Sequence, residues 1–388
     1  MSKGRIKIGI FAYSLLAMGA IGINSALSDI AQYFGVSDTQ IALIASIPCI
    51  VCIVITLFLG KILEHISQKN VGIFGAVCFL VGGLLPLILD DLVLIYICRA
   101  ISGIGIAISQ VFMATLTAEF FDEEERPSVQ GLAQAAQTAG MIFMCLVSGF
   151  LAAISWRACF LVHAIGLLSL LAMIFCIPYR KPKKQVKTEQ KEKAHLTKGA
   201  FGWFLFMFIV FLFLIVYANN LSFLLVEKQI GTAADTGLAL SIYAFGGLLT
   251  GLIYGKIDRP LGHMKLALSM FLFGAMFLIT IFAKSMPVIY VGGFVGGIAL
   301  SLFFPQTILY TGLSVVPAMI PMAVSLLTCS QNLGQILCPY IINPFAELLA
   351  GNSNVQVIKC QISFAAFMIL CIIMVIYGLR RTRREKII

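Results

Sequence analysis

The sequence predicts an all-α membrane protein with 12 transmembrane helices in two pseudo-symmetric six-helix bundles. Sixty per cent of its 388 residues are hydrophobic and only 11% are charged, whereas a soluble domain carries about 25% charged residues. A polar motif also returns at half the chain length, because GKILEHISQKN at 60–70 is followed 195 residues later by GKIDRPLGHMK at 255–265. A repeat at that offset indicates two copies of one unit joined end to end.

Twelve apolar segments account for most of the chain, and each is long enough for the roughly 20 residues that a bilayer core requires. The first follows a basic N-terminus, but it is too long for a secretory signal and no small-residue cleavage site follows it, so we expect it to be retained. The predicted spans lie near residues 8–33, 39–59, 71–89, 92–118, 128–152, 156–178, 201–225, 236–256, 265–283, 287–312, 320–349 and 356–379.

The distribution of Lys and Arg predicts the orientation. With 12 spans both termini share one side of the membrane, and 22 of the 27 Lys and Arg residues fall on that side. Both termini are therefore expected in the cytoplasm, and the protein in the cell membrane. The opposite loops are assigned Arg157, Lys228, Lys284 and Lys359, and Arg99 lies inside a span. The net charge of +10 indicates attraction to anionic lipid rather than a nucleic-acid partner.

One long hydrophilic stretch separates the two repeats. It is RKPKKQVKTEQKEKAHLTKG, and a mobile or partly helical linker is the expected structure. In transporters, a repeat of this kind produces two parallel six-helix halves with the solute site between them at mid-membrane. The predicted domains are an N-terminal bundle at 1–179, the cytoplasmic linker at 180–199, and a C-terminal bundle with a basic cytoplasmic tail at 200–388.

Three motifs resemble those of the major facilitator superfamily. RAISGIGIA, which begins at Arg99, resembles the family's R-x-x-x-G-x-G-x-A pattern, WRACF at 156–160 resembles W-R-x-x-F, and QNLGQILCP at 331–339 resembles the polar start of the eleventh span. The resemblance covers essentially the whole chain and implies a bacterial-type member with 12 spans. It also implies a secondary transporter that works by alternating access.

The loop after the second span resembles the family's G-x-x-x-D-R/K-x-G-R/K-R/K pattern. Gly60 matches, Glu64 replaces the Asp, and Ser67 occupies the second Gly position, while the second repeat retains Asp258 and Arg259. A carboxylate there can cap the next helix or pair with a nearby cation and so act as a conformational latch. The alternative is that these residues are ordinary loop charges.

Polar residues inside the spans are the candidates for the substrate and coupling pathway. A charge at a helix centre costs roughly 2.5–3.5 kcal/mol, so Arg99 is expected to face a cavity or a partner, either holding an anionic group or acting as a structural anchor. Gln110 lies on the same helix face. His163 is a candidate proton relay, with helix packing as the alternative. The remaining pathway candidates are the amides Asn24, Gln137, Asn219, Gln331 and Asn332.

The predicted function is transport of a small organic solute, anionic or amphipathic, by a protein that works as a monomer. No carboxylate lies deep in the first, fourth, seventh or tenth span. A proton carried by the solute itself, exchange for a counter-solute and facilitated diffusion are all compatible with this absence. Multidrug efflux by proton antiport is an alternative, although Met144 and Cys145 stand where the antiporters' fifth-span motif has Gly and Pro. A non-transporting membrane receptor is the alternative from another class.

Enzymatic chemistry is not expected, because the sequence contains no HExxH, GxSxG or Walker motif. No cofactor is expected, and no metal either. Cys49 and Cys52 form a CxxC pair, but small polarizable residues packed between helices explain it better than a metal or redox site.

Overall fold

A computed structural model describes residues 2–182, 197–316, 319–351 and 354–385, except for the side chains at 127, 255–261, 321 and 383–385. Within these residues, 12 helical segments are long and apolar enough to cross a membrane, as the sequence predicts. We number them spans 1–12. The chain is a multi-pass membrane protein with an all-helical fold.

The chain divides into two compact units, Met1–Lys191 and Glu192–Ile388. Most of the predicted linker, residues 183–196, lies outside the described residues. The first unit contains span 1 (Lys3–Ser14, Leu15–Met18, Ile21–Ala26 and Leu27–Phe34), span 2 (Asp38–Leu63), span 3 (Gln68–Leu84 and Leu85–Leu87), span 4 (Leu92–Phe120), span 5 (Arg126–Ile154) and span 6 (Ala158–Ile165 and Gly166–Cys176). The second unit contains span 7 (Lys198–Lys228), span 8 (Ala233–Leu261), a turn at Gly262–Met264, span 9 (Lys265–Phe282), span 10 (Met286–Leu313), span 11 (Ile320–Ala350) and span 12 (Val355–Glu385).

The sequence repeat is visible in the helix packing inside each unit. Gly140 on span 5 lies against the backbone of span 1, where an added Cβ would be 2.7 Å from the carbonyl oxygen of Leu15. Gly334, 194 residues later on span 11, lies against span 7 in the same way, and an added Cβ would be 2.5 Å from the carbonyl oxygen of Phe208. The repeated glycine therefore allows the same close helix contact in both halves.

The two glycines of the RAISGIGIA motif serve the packing of span 4. Spans 2 and 3 both pack against span 4. A Cβ at Gly103 would be 2.9 Å from the Cα of Pro48 on span 2, and a Cβ at Gly105 would overlap the carbonyl oxygen of Gly75 on span 3. Only a residue without a side chain allows both neighbours to approach this closely.

Several basic residues at the helix ends donate to carbonyl groups at the C-termini of neighbouring helices. The Lys228 ammonium donates to three carbonyls at the end of span 9, and the Lys69 ammonium donates at 2.7 Å to the carbonyl of Ile174 in span 6. The last carbonyls of a helix lack backbone partners and carry partial negative charge. These cations therefore stabilise helix ends.

The WRACF motif joins three helix ends of the first unit. Arg157 forms an ion pair with Asp90, and its guanidinium lies 4.4 Å from the ring centroid of Trp156 and 4.8 Å from that of Tyr33. The Tyr33 hydroxyl also donates to Asp90, at 3.2 Å. These contacts fix the end of span 1, the loop after span 3 and the start of span 6 relative to one another.

Candidate functional site

Span 1 is interrupted in its middle. The α-helix that ends at Ser14 is followed by two 3-10 segments, Leu15–Met18 and Ile21–Ala26, before α-helix resumes at Leu27. We call residues 15–26 the span 1 joint. Three glycines at 19, 22 and 35 occur in or after this stretch, and glycine lowers helix stability. The sequence predicts one continuous apolar helix here, because hydropathy is insensitive to helix type.

Side chains from three other spans hold the carbonyl groups of the joint and of the helix before it. Backbone groups without partners cost several kcal/mol in a membrane interior, so such donors are required wherever regular helix is lost. The donor and acceptor pairs are Ser169 and Ala12 at 2.6 Å, Ser109 and Tyr13 at 2.7 Å, Gln110 and Ala17 at 3.3 Å, Arg99 and Ala20 at 3.3 Å, and Ser148 and Gly22.

Arg99 is completely buried at the centre of this arrangement. Its Nε donates at 2.9 Å to the carbonyl of Ile44 on span 2. That carbonyl is available because the residue four positions later is Pro48, which has no N–H to donate in the helix. One Nη donates to Ala20, and the other lies 3.3 Å from Nε2 of His163 on span 6. The guanidinium therefore connects spans 1, 2 and 6, and the described residues place no carboxylate within ion-pair distance of it.

The hydrogen bonds of His163 define its tautomer. Its Nδ1 lies 3.0 Å from the carbonyl oxygen of Phe160, which can only accept, so Nδ1 carries the hydrogen. Its Nε2 faces the Arg99 guanidinium, which can only donate, so Nε2 carries the lone pair. The imidazole is therefore neutral with both nitrogens engaged. Proton relay by His163 remains a prediction, and it requires one of these two contacts to break.

The other pathway candidates divide between the two units. Gln110 touches the joint, Asn24 is buried within it, and Gln137 is buried on span 5. In the second unit Asn219 and Gln331 are half-buried on spans 7 and 11, and Asn332 is buried beside Gln331. The structure brings Arg99, Gln110 and His163 together around the joint. The pathway roles of all these residues remain predictions.

The candidate latch residues Gly60 and Glu64 line a cleft of about 450 Å³ at the end of span 2. Glu119 and Arg180 line the same cleft. The cap of span 3 that we considered for Glu64 is supplied instead by Ser67, whose hydroxyl accepts from the backbone N–H of Asn70 at 3.3 Å. The serine that departs from the family pattern therefore has a structural role.

The other two latch candidates lie on the cytoplasmic end predicted for span 8. The side chains of Asp258 and Arg259 are outside the described residues. Their part in a latch remains a prediction.

The predicted loop position of Lys359 is wrong. The structure places this residue in span 12, only 2% exposed, with its ammonium 3.3 Å from Oδ1 of Asn220 on span 7. Asn220 also donates to the carbonyl of Gln356 at 3.4 Å. Asn219, the residue chosen from sequence, is the half-buried neighbour. The position of Lys359 four residues inside an apolar segment was the signal for its burial.

Comparison with known families agrees with this architecture. The model described as Major Facilitator Superfamily matches residues 9–231 and 205–387, which together cover nearly the whole chain. The chain belongs to the Major Facilitator Superfamily. Its family and fold are those of transporters rather than of enzymes.

Solved structures of this superfamily share the fold at low sequence identity. The nucleoside transporter NupG superposes with a TM-score of 0.78 at 13% identity, covering 96% of this chain and 98% of that chain. A structure of the peptide transporter POT gives 0.78 at 11% identity, covering 98% and 95%. A bacterial homolog to the human lysosomal transporter Spinster gives 0.73 at 12% identity, covering 99% and 98%.

A curated relative from Claviceps purpurea (strain 20.1) is described as an "MFS-type transporter". It is 28% identical over 186 residues, which are 46% of this chain and 32% of the relative. The match therefore spans about a third of that protein's length.

Proposed function

We propose that this member of the Major Facilitator Superfamily is a secondary transporter that moves a small organic anion across the cell membrane by alternating access. The observation that supports the anion is Arg99, a buried cation held by neutral acceptors beside the interrupted span 1. Neutral acceptors leave the guanidinium with its full charge. The resulting positive potential favours a negatively charged solute near the joint.

The fold by itself does not select the solute. Relatives with this fold are named for transport of nucleosides and of peptides, so selectivity depends on the side chains that line each pathway. In this chain those candidates are amides, such as Gln110, Gln137 and Asn332, which donate to and accept from polar groups. Gln110 is half-buried and uses its Nε2 for Ala17, so its oxygen is suited to accept from a solute.

The proposal includes the membrane and the orientation. The excess of Lys and Arg on the side of both termini supports a cytoplasmic location for them. A Ser2→Cys variant should react with a membrane-impermeant maleimide in inverted vesicles and not in intact cells, with the wild type measuring background from the native cysteines. Labelling in intact cells only would show that the N-terminus lies on the outer side of the membrane, opposite to the proposed orientation.

Ligand-dependent thermal stability tests the solute class. Purified protein is heated with matched pairs of organic acids and their uncharged amides, since a solute at 100 times its Kd stabilises the folded state by about 2.7 kcal/mol. We expect acids to raise the Tm and their amides to have little effect. Equal stabilisation by both members of each pair would contradict the anionic solute, and stabilisation by amphipathic cations would favour multidrug efflux.

Uptake into proteoliposomes then tests transport itself. We expect the stabilising acid to accumulate, and Arg99→Lys, which retains the charge but loses the planar fork of donors, to reduce uptake. A pH gradient and a preloaded counter-solute are applied separately, so stimulation by one or the other distinguishes proton coupling from exchange. Binding without any uptake would favour a receptor over a transporter.

A further inference from the structure

We propose that His163 is a positioning residue for Arg99. Its neutral imidazole holds the guanidinium through Nε2, and a proton on Nε2 breaks that contact. The inference rests on the proposed function, in which the Arg99 guanidinium attracts the solute. His163 is the residue that sets the orientation of this guanidinium. It concerns the resting protein and is testable without any solute.

The surroundings of His163 leave its ring one orientation. Span 6 begins as the 3-10 segment Ala158–Ile165, which brings Nδ1 to the carbonyl of Phe160 at 3.0 Å. On the side of span 3 the ring packs on Phe79, with ring centroids 5.0 Å apart. Gly83 makes room for it there, because a Cβ at that position would overlap the imidazole. Rotating the ring by 180° would place the carbons Cδ2 and Cε1 where Nδ1 and Nε2 now lie and would break both hydrogen bonds.

Protonation changes this contact from attractive to repulsive. A proton taken up from the aqueous phase forms an N–H bond at Nε2 and makes the ring an imidazolium. Two donors then face each other across the 3.3 Å contact between Nε2 and the guanidinium nitrogen, and the two groups carry like charges. Arg99 is left with the carbonyls of Ile44 and Ala20. Loss of the proton restores the original pair.

The charged and titratable groups around the pair come from four spans. Arg99 on span 4 is the cation that faces His163. The titratable thiols of Cys49 on span 2 and Cys159 on span 6 are buried in the vicinity of Arg99. The carboxyl group of Asp29 on span 1 is half-buried in the vicinity of Cys159. Because Ala20 is part of the span 1 joint, the position of the guanidinium and the structure of the joint are coupled.

Nitrogen NMR of the whole chain tests the tautomer and the contact. The full-length protein in lipid nanodiscs carries ¹⁵N-labelled histidine and arginine, and His163→Gln assigns the signal of interest. At neutral pH we expect one protonated nitrogen and one bare nitrogen, with the hydrogen on Nδ1. On acidification the signal of the bare nitrogen and the Arg99 guanidinium signal should change in a single transition. A hydrogen on Nε2 at neutral pH would overturn the proposal. So would an Arg99 guanidinium signal that stays unchanged when His163 is protonated.

Two conservative variants separate positioning from packing. His163→Gln places an amide oxygen near the position of Nε2, whereas His163→Asn places its polar group near Nδ1. We expect Gln to retain the wild-type Tm and a pH-independent guanidinium signal, and Asn to lower the Tm by about 2–4 °C. Equal behaviour of the two variants would contradict the acceptor role. None of these measurements uses a solute, so their failure would leave the transport proposal intact, and failure of transport would leave the positioning role intact.

Discussion

Replacing Arg99 should leave its three hydrogen-bond acceptors without a donor. A backbone N–H can be restored as the donor for one of them. In Arg99→Met the apolar side chain keeps much of the volume and donates nothing. The carbonyls of Ile44 and Ala20 and the Nε2 of His163 lose their partner. Pro48→Ala restores an N–H four residues after Ile44, which is the regular helical donor for that carbonyl. The two substitutions should therefore be coupled.

The loss of stability in Arg99→Met follows from the number of buried acceptors that lose their donor. Each buried acceptor without a partner costs about 1–3 kcal/mol, so three acceptors together cost several kcal/mol. Relief from burying an unpaired cation offsets part of this. In the Pro48→Ala background one of the three acceptors is satisfied, so Arg99→Met should cost about 1–3 kcal/mol less there than in the wild-type background.

The coupling is measured as a double-mutant cycle. The free energy of unfolding is determined for the wild type, both single variants and the double variant in mixed micelles with increasing denaturing detergent, followed by tryptophan fluorescence. As a matched control, Pro305→Ala changes another proline inside a helix, and its effect should add to that of Arg99→Met. If Arg99→Met costs the same in both position 48 backgrounds to within about 0.5 kcal/mol, Pro48 does not supply the carbonyl to Arg99 and the reasoning is refuted.

Three further outcomes are expected. Gly105→Ala should lower the yield of folded protein, measured by size-exclusion chromatography, because its Cβ overlaps backbone, whereas Gly131→Ala has open space around it and should be tolerated. Lys228→Met should destabilise the protein by about 1 kcal/mol in thermal unfolding, since three helix-end carbonyls lose a cation. Hydrogen bonding from the Lys3 ammonium holds the pKa of exposed Asp122 below its ordinary 3.8. That contact stabilises the folded state above the ordinary pKa and is lost as the pH falls through the lowered pKa, so a spin label at the N-terminus should become mobile in acid. Because the Lys3 ammonium also pairs with Glu125 at 2.6 Å, the double variant Asp122→Asn/Glu125→Gln should be mobile at every pH.

Local properties of the sequence were sufficient for the helices and the family. The apolar segments predict the 12 spans because each span must satisfy its own backbone within about 20 residues, whatever its neighbours are. The glycines at 103 and 105 were recognised as part of a motif. Their contacts with Pro48 and Gly75 appear only when the helices are packed, because the closeness of two helices is a property of the pair.

The site was predictable in part. Arg99 was identified from its charge inside an apolar segment, but its partners at Ile44 and Ala20 are backbone atoms, and no side-chain type in the sequence marks a carbonyl as available. Pro48 marks one of them, once its missing N–H is taken into account. The sequence did not predict the capping role of Ser67, because this serine stands at a position where the family pattern has a glycine.

The sequence by itself determined the number of spans, the doubled architecture and the family, since these depend on composition and on repeats along one dimension. Only the tertiary structure decided that span 1 is interrupted, that Lys359 is buried against Asn220, and that His163 accepts from Arg99. The physical reason is helix phase: adjacent residues point about 100° apart. Which of them meets a partner depends on where the neighbouring helix lies, and that position is fixed by packing the whole unit.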